Sequence, residues 1–231
     1  MIKIKLIIAI TSIIVMLSIN LNYEIDNNNI VVQIENYSQK ITELRNKYNN
    51  NDVVGILKIK NKTVEIPIVQ TKDNDYYLNH SIYRKESNLG ATFLDYRINI
   101  NSSLKILIYG HSSINDKIPF NELENYYNKK YYDNNKYIYL LSEKEEKIYE
   151  IFSVYIETSD FSYMNINFID NEDFLNHIKK LKDKSMYKID VELTKDDEIL
   201  LLQTCSNNKD YINYEKKYLL IIARRIKSEN K

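Results

Sequence analysis

Apolar residues recur along this chain with three different spacings, and each spacing predicts a different kind of element. From Ile4 to Leu21 they are almost continuous, broken only by Lys5, Thr11, Ser12, Ser18 and Asn20. That length is close to the ~20 residues needed to cross a bilayer. Lys3 and Lys5 precede the run and Glu24 and Asp26 follow it, so the positive-inside rule places the N-terminus in the cytoplasm and the remainder outside. No small-residue cleavage site follows the run. Residues 1–21 are therefore expected to be a cytoplasmic tip and an uncleaved signal-anchor, with a removed signal peptide as the alternative. In the next stretch Ile30, Ile34, Tyr37, Ile41, Leu44 and Tyr48 recur every three or four residues, a helical period. Residues 22–52 are read as a helical stalk, ended by Asn49–Asp52.

Beyond residue 53 the apolar runs are short and bounded by polar clusters, which is the signature of strands. Val54–Ile59 and Thr63–Val69 flank Lys60-Asn61-Lys62 as a hairpin, and Pro67 pushes its strand toward an edge. Thr92–Asp95, Lys105–Tyr109, Tyr137–Leu141, Lys147–Tyr155, Ile199–Cys205 and Leu219–Ala223 read as further strands. Tyr126, Tyr127, Tyr131 and Tyr132 are expected at the rim of a core. Asp170–Leu181 carries acidic residues at its start, basic ones at its end and an apolar stripe, so it is expected to be an amphipathic helix. About eight strands with few helices imply a mostly β domain over residues 53–231, a barrel or a sandwich.

Charge removes one class of partner. The chain has 32 Lys and Arg against 32 Asp and Glu, a formal net charge of zero, and nothing in it suggests nucleic acid. One cysteine in 231 residues excludes an intramolecular disulfide, so Cys205 is a free thiol in a domain expected outside the cell. Cys205 ends the run Ile199–Cys205 and His111 ends the run Leu104–His111, each where an apolar strand meets a polar loop. A thiolate is a nucleophile, and an imidazole can protonate a leaving amine. His80, in a polar turn, and His177, beside Lys179 and Lys180, are expected to be solvated surface residues. Scattered histidines and one cysteine lack the paired spacings of a metal site, and no cofactor is called for.

At Leu201-Leu202-Gln203-Thr204-Cys205 and Tyr109-Gly110-His111 the chain resembles the sortases, the membrane-anchored cysteine transpeptidases of Gram-positive bacteria, and class B in particular. Val69-Gln70, the stretch Asp73–His80 and Gly90–Asp95 resemble the class B pattern leading into the His strand. The resemblance covers roughly residues 53–227. It implies an eight-stranded β-barrel with an N-terminal helix against the domain and a helix before the Cys strand. It also implies catalysis by Cys205 and His111 on the sorting signal of a surface protein, followed by transfer to an amine of a peptidoglycan precursor or a pilin. Asn74, Leu78 and Thr204 match positions of the sorting-signal groove.

One position departs from the family. Sortases place an arginine at the start of the final strand to help stabilise the oxyanion, whereas here no Arg occurs between Cys205 and Arg224. The usual position falls on Tyr218, with Lys217 beside it. Arg224 has the right parity but lies roughly 20 Å further along at ~3.3 Å per residue. The oxyanion role is therefore expected on Lys217 or Tyr218 rather than on Arg224. The competing reading is a surface peptide-binding module that keeps the groove and has lost turnover.

Overall fold

The computed structural model describes residues 36–226. The expected signal-anchor lies outside the described residues, as do Ile30 and Ile34 of the helical period. Among the described residues no helix is long and apolar enough to cross a membrane.

Eight strands close into one barrel: β1 (Val53–Ile59), β2 (Val64–Val69), β3 (Phe93–Leu94), β4 (Lys105–Tyr109), β5 (Tyr137–Leu141), β6 (Glu146–Glu157), β7 (Ile199–Cys205) and β8 (Tyr218–Arg225). The order around it is β1-β2-β3-β4-β7-β8-β6-β5, with β5 paired back onto β1. The hairpin β1–β2 turns through Lys60, Asn61 and Lys62, which sit at φ of 51°, 53° and 69°, an uncommon run for residues with a side chain. Thr63 holds it, its N–H donating to Lys60 O at 3.1 Å and its hydroxyl donating to the same oxygen at 2.8 Å. Pro67 is tolerated because β2 meets β3 only through the pair Val69–Phe93, so at Pro67 only the β1 side is paired.

The two apolar runs that carry Cys205 and His111 are central strands. Ile199, Leu200, Leu201 and Leu202 are fully buried, as are Ile106, Leu107 and Ile108. Burial on both faces explains why these runs are continuously apolar instead of alternating. β4 and β7 are parallel neighbours in register from Lys105–Ile199 to Tyr109–Gln203. A parallel pair needs a long crossover, and here it carries α2 (Lys129–Asn134), β5, β6 and α3 (Asn171–Asp183). The Asp170 side chain caps α3 by accepting from the N–H groups of Glu172 and Asp173, and Phe174, Ile178 and Leu181 face the barrel.

The helix read at the N-terminus is present, and one expectation shifts. The helical period at the N-terminus forms a helix, α1, over residues 36–48, and it lies on the barrel: Ile41 is fully buried, and Tyr37 and Leu44 pack against the core. The tyrosine cluster is more deeply seated than a rim position. Tyr126 and Tyr132 belong to the core, on a 3₁₀ helix (Pro119–Tyr127) and on α2. Their hydroxyls donate to Asn135 O and Ile151 O, which allows the rings to go inside.

Ile41→Ala should lower the unfolding free energy by about 2–5 kcal/mol, the range for truncating a buried aliphatic side chain. Urea denaturation measures it, and a loss below ~0.5 kcal/mol would mean that α1 contributes no packing.

Candidate active site

Because β4 and β7 run parallel and in register, they end together. His111 lies two residues past Tyr109, and Cys205 lies two residues past Tyr109's partner Gln203. Gly110 N–H extends the ladder by donating to Gln203 O at 3.1 Å. β8 is antiparallel to β7 with Tyr218 opposite Cys205, so its first residue arrives at the same end. All three side chains open into one cleft of about 340 Å³. No hydrogen bond joins thiol to imidazole among the described residues, and Cys205 is exposed. Surrounding protein, and then the negative charge of Glu124, push the thiol pKa above its ordinary value.

Two glycines make room for the histidine. At Gly90, where φ is +57°, a Cβ would stand 2.8 Å from His111 Cδ2 and 2.5 Å from Tyr77 O. At Gly110 it would stand 2.6 Å from the Phe120 ring. The imidazole is oriented by Nε2–H donating to Leu78 O at 2.8 Å, which leaves Nδ1 as the unengaged nitrogen.

Asn74, Leu78 and Thr204 all border the cleft. Asn74 is held at both ends of its amide, donating to Asp95 Oδ2 at 3.1 Å and accepting from Tyr96 N–H at 3.0 Å. The Leu78 side chain is 44% exposed, available to an apolar ligand group. Thr204 is buried, and its hydroxyl oxygen has no hydrogen-bond partner among the described residues. The three residues weighed for the oxyanion separate clearly. Tyr218 lines the cleft, with no hydrogen bond on its hydroxyl among the described residues. Lys217 does not line it, although its carbonyl accepts from Ser206 N–H at 2.9 Å. Arg224 pairs with Ile199 at the opposite end of β7 and is bound to Glu150 at 3.3 Å. Among the described residues no Lys or Arg lines the cleft.

Sequence reasoning did not find the framework under the cleft walls. Asp95 is fully buried and accepts from Arg97 through Nε at 2.8 Å and Nη2 at 2.7 Å, from Tyr109 Oη at 2.9 Å and from Asn74. Burial alone would raise its pKa, but these donors, Arg97 foremost, hold it below the usual carboxylate value. Across the cleft, Met164 is fixed from behind: Lys105 Nζ donates to Tyr163 O at 2.7 Å and Asn165 O at 2.6 Å, and Arg97 Nη2 to Met164 O at 3.4 Å. Lys105 also donates to His177 Nε2 at 2.7 Å. His177 is therefore half-buried and not a solvated surface residue, and burial, followed by the Lys105 charge, lowers its pKa to about 4. His80 is stacked on Tyr76, the ring centroids 4.1 Å apart. The sequence signal for the framework is Asp95 and Arg97 two residues apart at a strand end, with a lysine at the head of an apolar strand.

A larger cleft of about 530 Å³ lies beside α3, but its cations Arg97 and Lys105 are already hydrogen-bonded and neither Cys205 nor His111 lines it. Among the described residues no group of three or more His, Cys, Asp or Glu side chains could hold a metal ion.

The chain is similar in sequence and fold to known proteins. The sortase domain model matches residues 57–226. Sortase B of Listeria monocytogenes is 37% identical over 164 residues, 70% of this chain and 66% of that protein, just under two thirds of its length. A mutant form of sortase B from Clostridium perfringens superposes with a TM-score of 0.72 at 31% identity, covering 80% of this chain and 86% of that one. A Staphylococcus aureus sortase B–substrate complex gives 0.69 at 25% identity over 89% of this chain and all of that one.

The His177 contact predicts an acid-sensitive fold. The unfolded chain binds the proton near the ordinary pKa of 6.5 and the folded chain near 4, so the unfolded state holds more protons between these values. Stability should fall as pH drops through that window, and the slope should shrink in His177→Gln. An unchanged slope in urea titrations at stepped pH would remove His177 from the account.

Proposed function

The chain belongs to the sortase family of cysteine transpeptidases, and on that premise we propose that it cleaves a C-terminal sorting signal after threonine and transfers the surface protein to an amine. The observation that carries this reading is the delivery of Cys205 and His111 by two parallel strand ends into one cleft. In the reading, Cys205 passes its thiol proton to His111, its Sγ attacks the threonine carbonyl and a C–S bond forms. The C–N bond to the next residue then breaks, and the departing amine takes its proton from His111. Since Nε2–H is engaged by Leu78 O, Nδ1 is the nitrogen available for that transfer. An acceptor amine on a cell-wall precursor or a pilin then attacks the thioester, re-forms an amide and expels the thiol, with water as the competing acceptor. Asn74, Leu78 and Thr204 are assigned to the walls that hold the signal.

Tyr218 takes the position opposite Cys205 where relatives are expected to carry arginine. A phenol is a neutral donor and cannot grip an oxyanion with two parallel N–H groups, but it is placed at the reacting end. Burial, and then a charge on Cys205, raise its pKa, so it stays protonated and able to donate. The uncleaved signal-anchor at residues 1–21 would hold the domain on the outer face of a Gram-positive membrane.

A peptide-binding module without turnover is the second reading, favoured by the absence of any cation from the cleft. Transfer of a threonine-containing sorting peptide to an added amine separates the two. Cys205→Ala and His111→Ala should abolish transfer, Tyr218→Phe should slow it by about 10²–10³-fold, the usual effect of removing an oxyanion donor, and Arg224→Ala should leave it intact. Peptide binding with no transfer by any member of a peptide panel would favour the inactive module.

A further inference from the structure

Glu124 lies on the 3₁₀ helix Pro119–Tyr127, behind the cleft, and it is the charged group nearest in effect to the thiol. Its Oε1 accepts from Asn207 N–H at 3.0 Å and from Ser112 Oγ at 3.3 Å. Asn207 Nδ2 also donates to Ser112 Oγ, at 2.7 Å. Ser112 directly follows His111, and Asn207 is the second residue after Cys205. One carboxylate thus fastens the loop leaving the His strand to the loop leaving the Cys strand. The neighbouring Tyr127 hydroxyl extends the tie to Ser206 Oγ at 2.7 Å.

We propose that Glu124 is a positioning residue of this site, one that sets the spacing of thiol and imidazole by bridging the two loops. The assignment rests on Cys205 and His111 being the reacting pair. Past Tyr109 and Gln203 the β4–β7 register ends, and Gly110 N–H makes the last bond of the ladder. From there outward, the two strand ends are joined through Glu124, Ser112 and Asn207. A misplacement of about 1 Å between reacting groups can cost ~10²-fold in rate, so a bridge at this point matters more than its surface location suggests.

The charge has a separate consequence. Among the described residues Glu124 takes part in no ion pair. The titratable groups around it are Cys205 from β7 and Tyr127 from its own helix, with Tyr211 beyond Tyr127. A half-buried carboxylate with no counter-cation repels a second negative charge. Its own pKa is raised by burial, partly offset by Asn207 N–H and Ser112 Oγ, and the thiol beside it is raised as well.

The two effects separate experimentally. Glu124→Gln keeps an oxygen that can accept from Asn207 and Ser112 but removes the charge, and Glu124→Ala removes both. Because Cys205 is the single cysteine, alkylation by iodoacetamide reports on it alone. In Glu124→Gln the alkylation–pH profile should move to lower pH, giving a severalfold faster reaction near neutrality, while kcat for transpeptidation stays within a few fold of the parent. In Glu124→Ala the profile should move the same way and kcat should fall by about 10²-fold with KM little changed. Superimposable alkylation profiles for all three proteins would overturn the electrostatic role, and an unchanged kcat in a folded Glu124→Ala would overturn the bridging role. If Glu124→Ala does not fold, Glu124→Gln still decides through its profile. Should the parent transfer no peptide at all, the transpeptidase reading fails, whereas the alkylation profiles still judge Glu124.

Discussion

The parallel, in-register pairing of β4 with β7 is the constraint on which the rest of this molecule depends. Two antiparallel neighbours would send His111 and Cys205 to opposite ends of the barrel. A parallel pair with Tyr109 opposite Gln203 sends them to the same end, with β8 turning back so that Tyr218 meets Cys205. Parallel neighbours require a long crossover, and the chain uses it to build the barrel strands β5 and β6 together with the helices α2 and α3. A one-residue slip in this register would move Cys205 relative to His111.

The cleft walls are held by charge. Asp95 is buried with Arg97 clamped on both oxygens, and the same Arg97 together with Lys105 takes the carbonyls of three successive residues, Tyr163, Met164 and Asn165. Asn74 on one wall and Met164 on the other are therefore connected beneath the cleft through Asp95 and Arg97. Breaking a buried pair by removing one partner commonly costs 3–5 kcal/mol, so these residues are expected to be sensitive to substitution although none touches the reacting atoms. The cleft at one end of the barrel thus rests on hydrogen bonds made beneath its walls.

Much of this was legible in the sequence, for physical reasons that can be named. The continuous apolar runs could only be buried strands, and polar residues at their ends located Cys205 and His111. The acidic start, basic end and apolar stripe of Asp170–Leu181 predict α3. Parity and distance along β8 separated Tyr218 from Arg224 before any coordinates, since a strand advances by a fixed rise and alternates its faces. What was not legible depends on long-range contact. His177 looks like a surface residue beside two lysines, and only the fold brings it to Lys105, 72 positions away. Glu124 lies in a polar stretch with no strand signal, and its partners Ser112 and Asn207 come from two distant loops. Tyr126 and Tyr132 go inside because their hydroxyls find carbonyl acceptors, which a periodicity cannot reveal.

The central claim is that Cys205 forms an acyl-enzyme at the end of β7. Intact-mass measurement of the full chain after incubation with a threonine-containing sorting peptide, without added amine, addresses it directly. The account predicts a protein heavier by the acyl part of the peptide, the added mass mapping to Cys205, disappearing on addition of hydroxylamine, and absent from Cys205→Ala. An adduct that persists in Cys205→Ala, or released peptide product with no dependence on that thiol, would contradict it.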